Sequence, residues 1–422
     1  MNLSIIGTGY VGLVSGACFA SLGHHVICVD VDKEKVDNIN NQKSPIFEKD
    51  LDKILNECKD HIRATTSYAE AIEQSDITFI CVGTPSKNDG DIDLKYVDQV
   101  TRAIGNELRT KESFHCVIVK STVVPGTTRN HVLPMLEKAS GKKGGLDFGV
   151  GMNPEFLREG VAVDDFLNPD RVVNGYYDEK TKEILGRLYK DFSCPVVETS
   201  LTVAEMIKYA SNCFLATKIS FINEIGNMCK HLGIDVYKVA DGMGLDKRIA
   251  RSFLNAGIGW GGSCFPKDTK ALHAWAKKEY IPSHLTESVI KVNDEQPLQL
   301  IKILKKYLPD LRGKTIGILG LAFKPDTDDI RDSRSIPLVE SLLRQDVTIL
   351  AYDPQAMEQF KHRFPQITYC GSPDEVLSSD AIIIATAWEM FKTLNYKDKI
   401  VIDGRRLLEV KDTASIYEGV CW

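Results

Sequence analysis

The residues with the clearest chemical potential lie in the segment Gly259–Asp268, which reads GWGGSCFPKD. Cys264 offers a nucleophile, and the glycines before it allow a substrate to approach the backbone closely. Asp268 follows four positions later, so thiol and carboxylate share one face if a helix begins here. A lone cysteine is usually buried and inert, but a nearby cation or helix N-terminus favours its thiolate. The segment therefore predicts a thiol nucleophile beside an acid-base group.

A second candidate pair, Lys208 and Asn212, lies in a stretch that predicts a long helix from Thr202 to about Leu232. Residues four apart on a helix share a face, so an ammonium and an amide can together stabilise an oxygen that gains charge. A solvated pair on the helix surface is the alternative interpretation.

The N-terminal sequence predicts a dinucleotide site. Gly7, Gly9 and Gly12 form GxGxxG, with Tyr10 and Val11 between the last two, directly after the apolar run Leu3–Ile6. Small residues at this turn let backbone amides approach a pyrophosphate. Asp30 ends the next apolar run, where a carboxylate accepts hydrogen bonds from a ribose and repels a 2′-phosphate. We therefore expect NAD⁺ as cofactor rather than NADP⁺.

Two further residues are candidates for cofactor contact. Lys35 follows Asp30 in an early helical turn, although a lone lysine there is more often solvated. Thr84 follows the apolar run Phe79–Val82, at the carboxyl end of a predicted strand where cofactor contacts usually lie. A plain loop is an equally good interpretation of that position.

The elements that position these residues form two α/β regions. Short apolar runs alternate with helical stretches up to about residue 200, and again from Thr315 to the end of the chain. The pattern predicts two Rossmann-like parallel-sheet domains joined by a long central helix. We expect an NAD-binding domain over residues 1–200, a helical dimerisation region with the cysteine loop over 201–300, and a nucleotide-binding domain over 301–422.

Composition limits the partners of the protein. The 422 residues are 43% hydrophobic and 26% charged, with a formal net charge of −6, which gives no global attraction to nucleic acid or anionic membranes. The eleven cysteines show no paired spacing, so we expect reduced thiols in a cytoplasmic protein and no zinc site. No charged leader or membrane-spanning apolar run is expected.

Several ordered motifs resemble the nucleotide-sugar 6-dehydrogenases of the UDP-glucose/GDP-mannose dehydrogenase family, and within it the branch that acts on UDP-glucose. Besides the glycine turn and the cysteine segment, they are Lys120–Val123 (KSTV), Asn153–Gly160 (NPEFLREG), Glu205–Asn212 (EMIKYASN), Gly320–Lys324 (GLAFK) and Asp403–Arg406 (DGRR). The resemblance covers nearly the whole chain. The SCFPKD form of the cysteine segment favours glucose over the N-acetylhexosamine relatives, which resemble a His-Cys-Ile-Pro type.

The resemblance implies a four-electron oxidation of an alcohol to an acid without a metal, consuming two NAD⁺. Cys264 would form a thiohemiacetal and then a thioester, because an aldehyde carbon must become tetrahedral before it can give up a hydride. Lys208 and Asn212 would stabilise the charged oxygen. Asp268 would take protons with Lys208, and Glu155 and Thr122 would serve proton transfer and hydrolysis.

The same resemblance implies the binding residues. Cofactor contacts would include Thr122, Glu159, Lys267 and Arg331. The sugar nucleotide would contact Glu155, Phe156, Leu157, Lys208, Asn212, Phe253, Gly261, Phe323, Lys324, Arg405 and Arg406. Arg248 would reach the substrate of a neighbouring subunit, which makes a homodimer the expected partner.

Three alternatives remain open. The same chemistry could act on GDP-mannose or a UDP-N-acetylhexosamine. A two-electron hydroxyacid dehydrogenase would give Cys264 no chemical role and release one NADH per substrate. A protein that binds NAD without turnover is a third class, against which the combination of Cys264, Lys208 and Asp268 argues.

Overall fold

The computed structural model describes residues 1–422, and the chain divides into two compact units, Met1–Ser211 and Asn212–Trp422. Each unit is built on one sheet. None of the helices combines the length and apolarity needed to cross a membrane.

The first unit contains an eight-stranded sheet in the order β3-β2-β1-β4-β5-β6-β7-β8. Its strands are β1 (Asn2–Ile6), β2 (His25–Val29), β3 (Ile62–Thr65), β4 (Ile77–Ile80), β5 (His115–Val119), β6 (Phe148–Met152), β7 (Val172–Tyr176) and β8 (Val196–Ser200). All neighbours are parallel except β6 and β7. The strands β4, β5 and β6 are buried at every position, because a parallel sheet is covered on both faces.

Helices connect these strands in the alternation that the apolar pattern predicts. They are α1 (Tyr10–Ser21), α2 (Lys33–Asn40), α3 (Leu51–Glu57), α4 (Tyr68–Glu73), α5 (Lys95–Leu108), α6 (Leu133–Ser140), α7 (Ala162–Leu167) and α8 (Glu179–Leu188), with a π-helical turn at Thr128–Val132. The helix α1 starts one residue after Gly9, which has no side chain to cap it.

The predicted long helix is α9 (Leu201–Leu232), 32 residues without a break. The boundary between the two units falls within it, after Ser211. The side chains of Phe214, Phe221 and Met228, seven residues apart, form an exposed apolar stripe along the helix.

The second unit contains a six-stranded, all-parallel sheet in the order β11-β10-β9-β12-β13-β14. Its strands are β9 (Thr315–Leu319), β10 (Thr348–Tyr352), β11 (Thr368–Tyr369), β12 (Ala381–Ile384), β13 (Ile400–Asp403) and β14 (Ile416–Gly419). Its helices are α10 (Val236–Gly244), α11 (Phe265–Lys278), α12 (His284–Glu295), α13 (Leu298–Tyr307), α14 (Ser335–Leu343), α15 (Met357–Arg363) and α16 (Pro373–Val376), with 3-10 turns at Glu389–Thr393 and Leu408–Asp412.

The two sheets confirm the predicted fold class of two Rossmann-like domains and a long helix. The prediction did not include the antiparallel step between β6 and β7, nor the strands β3, β6, β7, β8, β11 and β14.

The first turn is built in the same way in both units. After β1, Gly7 has a φ of +96° and the next amide donates to Asp30 at 2.8 Å. After β9, Gly320 has a φ of +98° and the next amide donates to Asp353 at 2.7 Å. The surroundings differ, because the Trp388 indole N–H also donates to Asp353 and the carboxylate is fully buried.

Candidate active site

The glycine turn of the first unit has the shape that a dinucleotide pyrophosphate requires. A Cβ on Gly12 would lie 1.9 Å from the Gly7 carbonyl oxygen, so only glycine permits this close packing of helix on turn. A Cβ on Gly9 would meet no atom within 4 Å, which leaves its backbone accessible. The first turn of α1 contains no acidic residue. Its amide groups and helix dipole therefore suit a phosphate anion.

Asp30 lies at the carboxyl end of β2, as the sequence predicts. Its carboxylate accepts hydrogen bonds from the Thr8 amide at 2.8 Å, from the Thr8 hydroxyl at 2.6 Å and from the Asp32 amide at 3.0 Å. Partial burial acts to raise the pKa of Asp30, but these donors and the nearby Lys35 outweigh it, so the pKa lies below its ordinary value. The residue therefore carries a negative charge at neutral pH.

Tyr10 ties the glycine turn to the NPEFLREG segment. Its hydroxyl donates a short hydrogen bond to Glu48 and accepts one from the Gly160 amide at 3.0 Å. Glu48 also accepts from the amides of Gly160 and Ala162, at 2.7 and 2.9 Å. We did not predict Glu48 from the sequence, because it lies in a loop without any motif. Val11 follows Tyr10 and is partly buried.

Thr84 and Thr122, predicted separately, are in contact. The Thr84 hydroxyl donates to the Thr122 carbonyl oxygen at 2.8 Å, so the loops after β4 and β5 are joined at the carboxyl edge of the sheet. Glu159 is partly exposed. The segment that carries Glu155 and Glu159 follows β6 without forming a helix, so the two acids are not an ordinary helical pair.

Glu155 and Lys208 form a buried ion pair in the first unit. Their side chains approach to 3.0 Å, and both are almost completely buried. The second oxygen of Glu155 accepts from the Leu157 amide at 2.6 Å. Burial acts to raise the pKa of Glu155, but Lys208, the Leu157 amide and Lys120 together hold it below its ordinary value. The carboxylate is therefore ionised and fixed.

Phe156 forms one wall of this site. Its ring packs under the Arg171 guanidinium at 3.8 Å and lies 5.3 Å from the Lys208 ammonium. Such cation–π contacts hold Arg171 and Lys208 on the Phe156 ring, beside Glu155. Leu157 packs against the core of the unit.

Lys120 is a second buried lysine beside Glu155. Its ammonium donates to the Asn153 side-chain oxygen at 2.7 Å, and that oxygen also accepts from the Tyr189 hydroxyl at 2.7 Å. Burial lowers the pKa of Lys120 to about 8. The KSTV and NPEFLREG motifs contain Lys120 and Asn153, but no feature of the sequence indicates that the two residues are in contact.

Cys264 lies at the N-terminus of α11, so a helix does begin at the position where Cys264 and Asp268 can share one face. The Asp268 amide donates to the Cys264 carbonyl oxygen at 2.8 Å, which closes the first helical turn. Cys264 is partly exposed, and its sulfur lies 3.4 Å from the Ser263 hydroxyl. The positive end of a 14-residue helix favours a thiolate at this position.

Asp268 is buried in the second unit and has two donors. The Asn212 side-chain amide reaches it at 2.6 Å and the Lys267 ammonium at 2.5 Å. Asn212 therefore orients the carboxylate, while Lys267 compensates its charge. We did not predict this contact between Asn212 and the cysteine helix from the sequence.

The glycines before Cys264 are required by close packing. A Cβ on Gly261 would lie 2.3 Å from the Asp332 carbonyl oxygen, and one on Gly262 would lie 2.8 Å from the Phe323 ring. The predicted substrate residue Phe323 thus packs directly on the cysteine loop. Asn293 holds the same loop, because its side chain accepts from the Trp260 amide at 2.7 Å and donates to the Trp260 carbonyl oxygen at 3.0 Å.

The two adjacent arginines after β13 have different surroundings. Arg405 donates to the Ala385 carbonyl oxygen at 2.8 Å and lies 3.5 Å from the carbonyl oxygens of Gly259 and Phe323. Burial lowers its pKa to about 10. Arg406 instead pairs with Asp235 at 2.8 Å and stacks on Tyr237 at 3.7 Å. Arg405 is therefore the one beside the cysteine loop.

The remaining predicted residues of this unit lie at its surface or around the loop. Arg248 has a side chain that is 89% exposed and pairs with Asp246. Phe253 has a left-handed φ of +64° and a ring centroid 6.4 Å from that of Phe265. Arg331 pairs with Asp329 at 2.7 Å, and its carbonyl oxygen accepts from the Gly262 amide. The Lys324 ammonium lies 5.7 Å from the Phe323 ring.

The dinucleotide turn, together with a part-exposed thiol at a helix N-terminus, defines a class: α/β dehydrogenases that use a nicotinamide cofactor. Comparison with known proteins shows which family of this class the chain belongs to. Models of the UDP-glucose/GDP-mannose dehydrogenase family match three parts of the chain, the NAD binding domain at residues 1–193, the central domain at 202–295 and the UDP binding domain at 317–410. The chain therefore belongs to the UDP-glucose/GDP-mannose dehydrogenase family.

Individual relatives span the whole chain. A UDP-glucose 6-dehydrogenase of Haloferax volcanii is 45% identical over 420 residues, 97% of each protein. The solved structure of a UDP-glucose dehydrogenase from Pyrobaculum islandicum is 42% identical, with a TM-score of 0.95 over 100% of this chain and 97% of that one. A UDP-D-ManNAc dehydrogenase from Pyrococcus horikoshii is 28% identical, with a TM-score of 0.88 over 100% and 99%.

Proposed function

We propose that this protein oxidises UDP-glucose to UDP-glucuronate with two NAD⁺ per sugar, through a thioester on Cys264. Two observations support the sugar. The similar proteins with over 40% identity named above are UDP-glucose dehydrogenases, whereas the one named for an N-acetylhexosamine substrate is 28% identical. The SCFPKD sequence around Cys264 also favours the glucose branch.

Each unit contributes part of the chemistry. NAD⁺, when bound at the glycine turn, accepts one hydride in each of the two oxidations. In the first, the sugar C6 hydroxyl loses a proton to a base as its carbon loses the hydride. The Cys264 sulfur then bonds to the aldehyde carbon, whose oxygen takes a proton to give the thiohemiacetal. A second hydride leaves that carbon as the hydroxyl loses its proton to a base, and water hydrolyses the resulting thioester to an acid and a free thiol.

The surroundings of the reacting groups support their proposed roles. Asp268 is buried with Asn212 and Lys267 as donors, so it exchanges protons in a fixed position. The Lys208 ammonium, held by Glu155, can stabilise the oxygen that becomes negative in both oxidations. The ionised Glu155 carboxylate serves as the base that activates the hydrolytic water. Thr122 assists Glu155 in this proton transfer.

Residues 1–200 bind the cofactor in this proposal. The glycine turn, Tyr10, Val11, Asp30, Lys35, Thr84, Thr122 and Glu159 surround it. The family resemblance also implies Lys267 and Arg331 as cofactor residues. The charge on Asp30 selects NAD⁺ over NADP⁺ by repelling a 2′-phosphate.

Residues 301–422 bind the uridine diphosphate. Arg405 lies beside the cysteine loop with Phe323, which makes it the better phosphate ligand of the arginine pair. Arg406 is already engaged by Asp235 and Tyr237, so it is less available to a phosphate. Lys324 follows Phe323 and adds a second cation. Phe156, Leu157, Gly261 and Phe253 contact the sugar.

We propose a homodimer formed through residues 201–300. The exposed stripe of Phe214, Phe221 and Met228 on α9 is the kind of apolar surface that a second copy of the chain covers. The exposed side chain of Arg248 would reach the substrate of the partner.

Eleven cysteines without a disulfide support a reducing, cytoplasmic location.

The deciding experiment incubates the protein with NAD⁺ and, separately, UDP-glucose, GDP-mannose and UDP-N-acetylhexosamines. We expect fast NADH formation with UDP-glucose alone and two NADH for each UDP-glucuronate formed. One NADH per sugar would show a two-electron dehydrogenase. Preference for another nucleotide sugar would overturn the choice of substrate but not of mechanism.

A further inference from the structure

Lys120 is a buried cation that the mechanism above does not use. It follows β5, and its side chain is only 4% exposed. Its one hydrogen bond is to the Asn153 oxygen, while the rings of Phe79 and Phe166 lie 5.9 Å from the ammonium. A lysine with one neutral acceptor is poorly compensated for leaving water.

Glu155 is the carboxylate that this lysine interacts with, but the two do not touch. One oxygen of Glu155 pairs with Lys208, and the other accepts a hydrogen bond from the Leu157 amide. Lys120 donates its hydrogen bond to Asn153 instead. Two buried ammonium groups thus share one carboxylate. Because Lys208 is in direct contact with it, Lys120 is the cation that can lose its proton at lower cost.

A cavity of about 50 Å³ joins the two side chains. Its lining includes Lys120, Asn153, Glu155, Arg171 and Tyr189. Such a space exceeds the roughly 10–15 Å³ that one water needs, and these polar groups can hydrogen-bond to it. A proton can therefore pass between Glu155 and Lys120 through water.

We propose that Lys120 accepts protons from Glu155 across this cavity and so restores the carboxylate after each hydrolysis. The inference rests on the proposed function, in which Glu155 is the hydrolytic base. As the water oxygen bonds to the thioester carbon, its proton moves to Glu155 and the Cys264 sulfur leaves. Cavity water then carries the proton to the neutral amine of Lys120, which becomes an ammonium. Lys120 acts through Glu155 and does not touch the substrate.

The charge environment of Lys120 fits this task. Burial lowers the pKa of Lys120 to about 8, with Lys208 acting in the same direction and Cys81 and Glu155 opposing it. The neutral amine therefore forms as pH rises through about 8. The titratable groups that face it or line the cavity are Cys81, Glu155, Asp165, Arg171, Tyr189 and Lys208.

The test follows the covalent intermediate directly. The full-length protein is mixed with NAD⁺ and UDP-glucose in a single turnover, NADH is recorded, and the nucleotide-sugar adduct is measured by mass spectrometry of the intact protein. In Lys120→Met we expect normal NADH formation but adduct loss that is slower by about tenfold or more, as for loss of proton transfer. In wild type, adduct loss should accelerate as pH rises through about 8.

Two further variants separate charge from proton transfer. Lys120→Arg keeps the cation but cannot accept a proton, so it should also lose adduct slowly and without the pH dependence. Lys111→Met is the matched control, because Lys111 is another buried lysine of this unit, bonded to the Glu73 carbonyl oxygen. We expect its adduct loss to match wild type.

Opposite results overturn the inference. Fast adduct loss in Lys120→Arg or Lys120→Met would exclude Lys120 as acceptor. A pH-independent wild-type rate would do the same and needs no variant to fold. Failure of the wild type to form any adduct or acid from UDP-glucose would instead overturn the proposed function.

Discussion

At the scale of single residues, Cys264 differs from most of the other thiols, which are buried. Burial raises the pKa of Cys18, Cys81, Cys116 and Cys421 to about 12, which makes these thiols poor nucleophiles. Cys264 is partly exposed at the start of α11. Cys194 and Cys213 are also partly exposed, but Cys264 is the one of the three that directly precedes a helix, which is the position that favours a thiolate.

Cys264→Ala should abolish complete oxidation. Without a thiol the aldehyde cannot form a thiohemiacetal, so acid formation should fall by several orders of magnitude and lose the stoichiometry of two NADH per sugar. The readout is NADH and UDP-glucuronate per UDP-glucose consumed. Cys194→Ala, which removes another part-exposed thiol of the chain, is the control. Near-normal acid formation by Cys264→Ala would make the thiol structural.

Asp30→Ala should weaken NAD⁺ binding and relax discrimination against NADP⁺. A lost charge-assisted hydrogen bond to the ribose is worth about 1.5 kcal/mol, or roughly tenfold in Kd. Both cofactors are measured by calorimetric titration, beside Asp32→Ala, which removes an equal charge from the same loop. Equal catalytic efficiency of the wild type with the two cofactors would refute the role of Asp30.

At the scale of elements, the glycine turn combines two requirements that substitution can separate. Gly12 is needed for the packing of α1 on β1, whereas the space around Gly9 is needed by a ligand. No neighbouring atom of the protein requires a glycine at position 9. Gly9 has a φ of −71°, which alanine adopts without strain.

Gly12→Ala should therefore destabilise the fold, and Gly9→Ala should not. The added methyl group at residue 12 meets a backbone oxygen at 1.9 Å. We expect a clear fall in unfolding temperature for this variant without cofactor. Gly9→Ala should unfold as wild type but bind NAD⁺ at least tenfold more weakly, a loss of about 1.4 kcal/mol. Unchanged NAD⁺ affinity in Gly9→Ala would show that the pyrophosphate does not approach there.

The elements themselves were largely predictable, but the side-chain pairs were not. The limits of α9 and of the central strands β1, β2, β4, β5, β12 and β13 follow from local apolar runs, which the sequence displays directly. The Glu155–Lys208 pair and the Lys120–Asn153 contact join residues distant in sequence, and nothing local specifies them. The different surroundings of Arg405 and Arg406 arise in the same way, from Asp235 and Gly259.

At the scale of the whole molecule, the proposed dimer gives each active site residues from two chains. The partly exposed Cys264 would act in the active site of its own subunit, whereas the exposed Arg248 would act in the active site of the partner. This arrangement can be tested by complementation, because a mixed dimer of two inactive variants regains one complete site.

Arg248→Ala and Cys264→Ala should be inactive alone and active when co-expressed. Random pairing makes about half of the dimers mixed, each with one intact site, so roughly a quarter of wild-type activity should return. Differently tagged chains allow the mixed dimer to be purified, and light scattering gives its mass. A mixed dimer without activity would place Arg248 in its own subunit's site.

The matching first turns of the two units indicate how such a chain can arise. Gly7 with Asp30 and Gly320 with Asp353 form the same left-handed turn and the same amide-to-carboxylate hydrogen bond. An ancestral half that was duplicated would leave this signature in both copies. The buried Asp353 carboxylate accepts a hydrogen bond from Trp388, so in the second copy it is not accessible to an adenosine ribose. After such a duplication, one copy would be sufficient to bind the dinucleotide, and the other would be free to bind a different nucleotide.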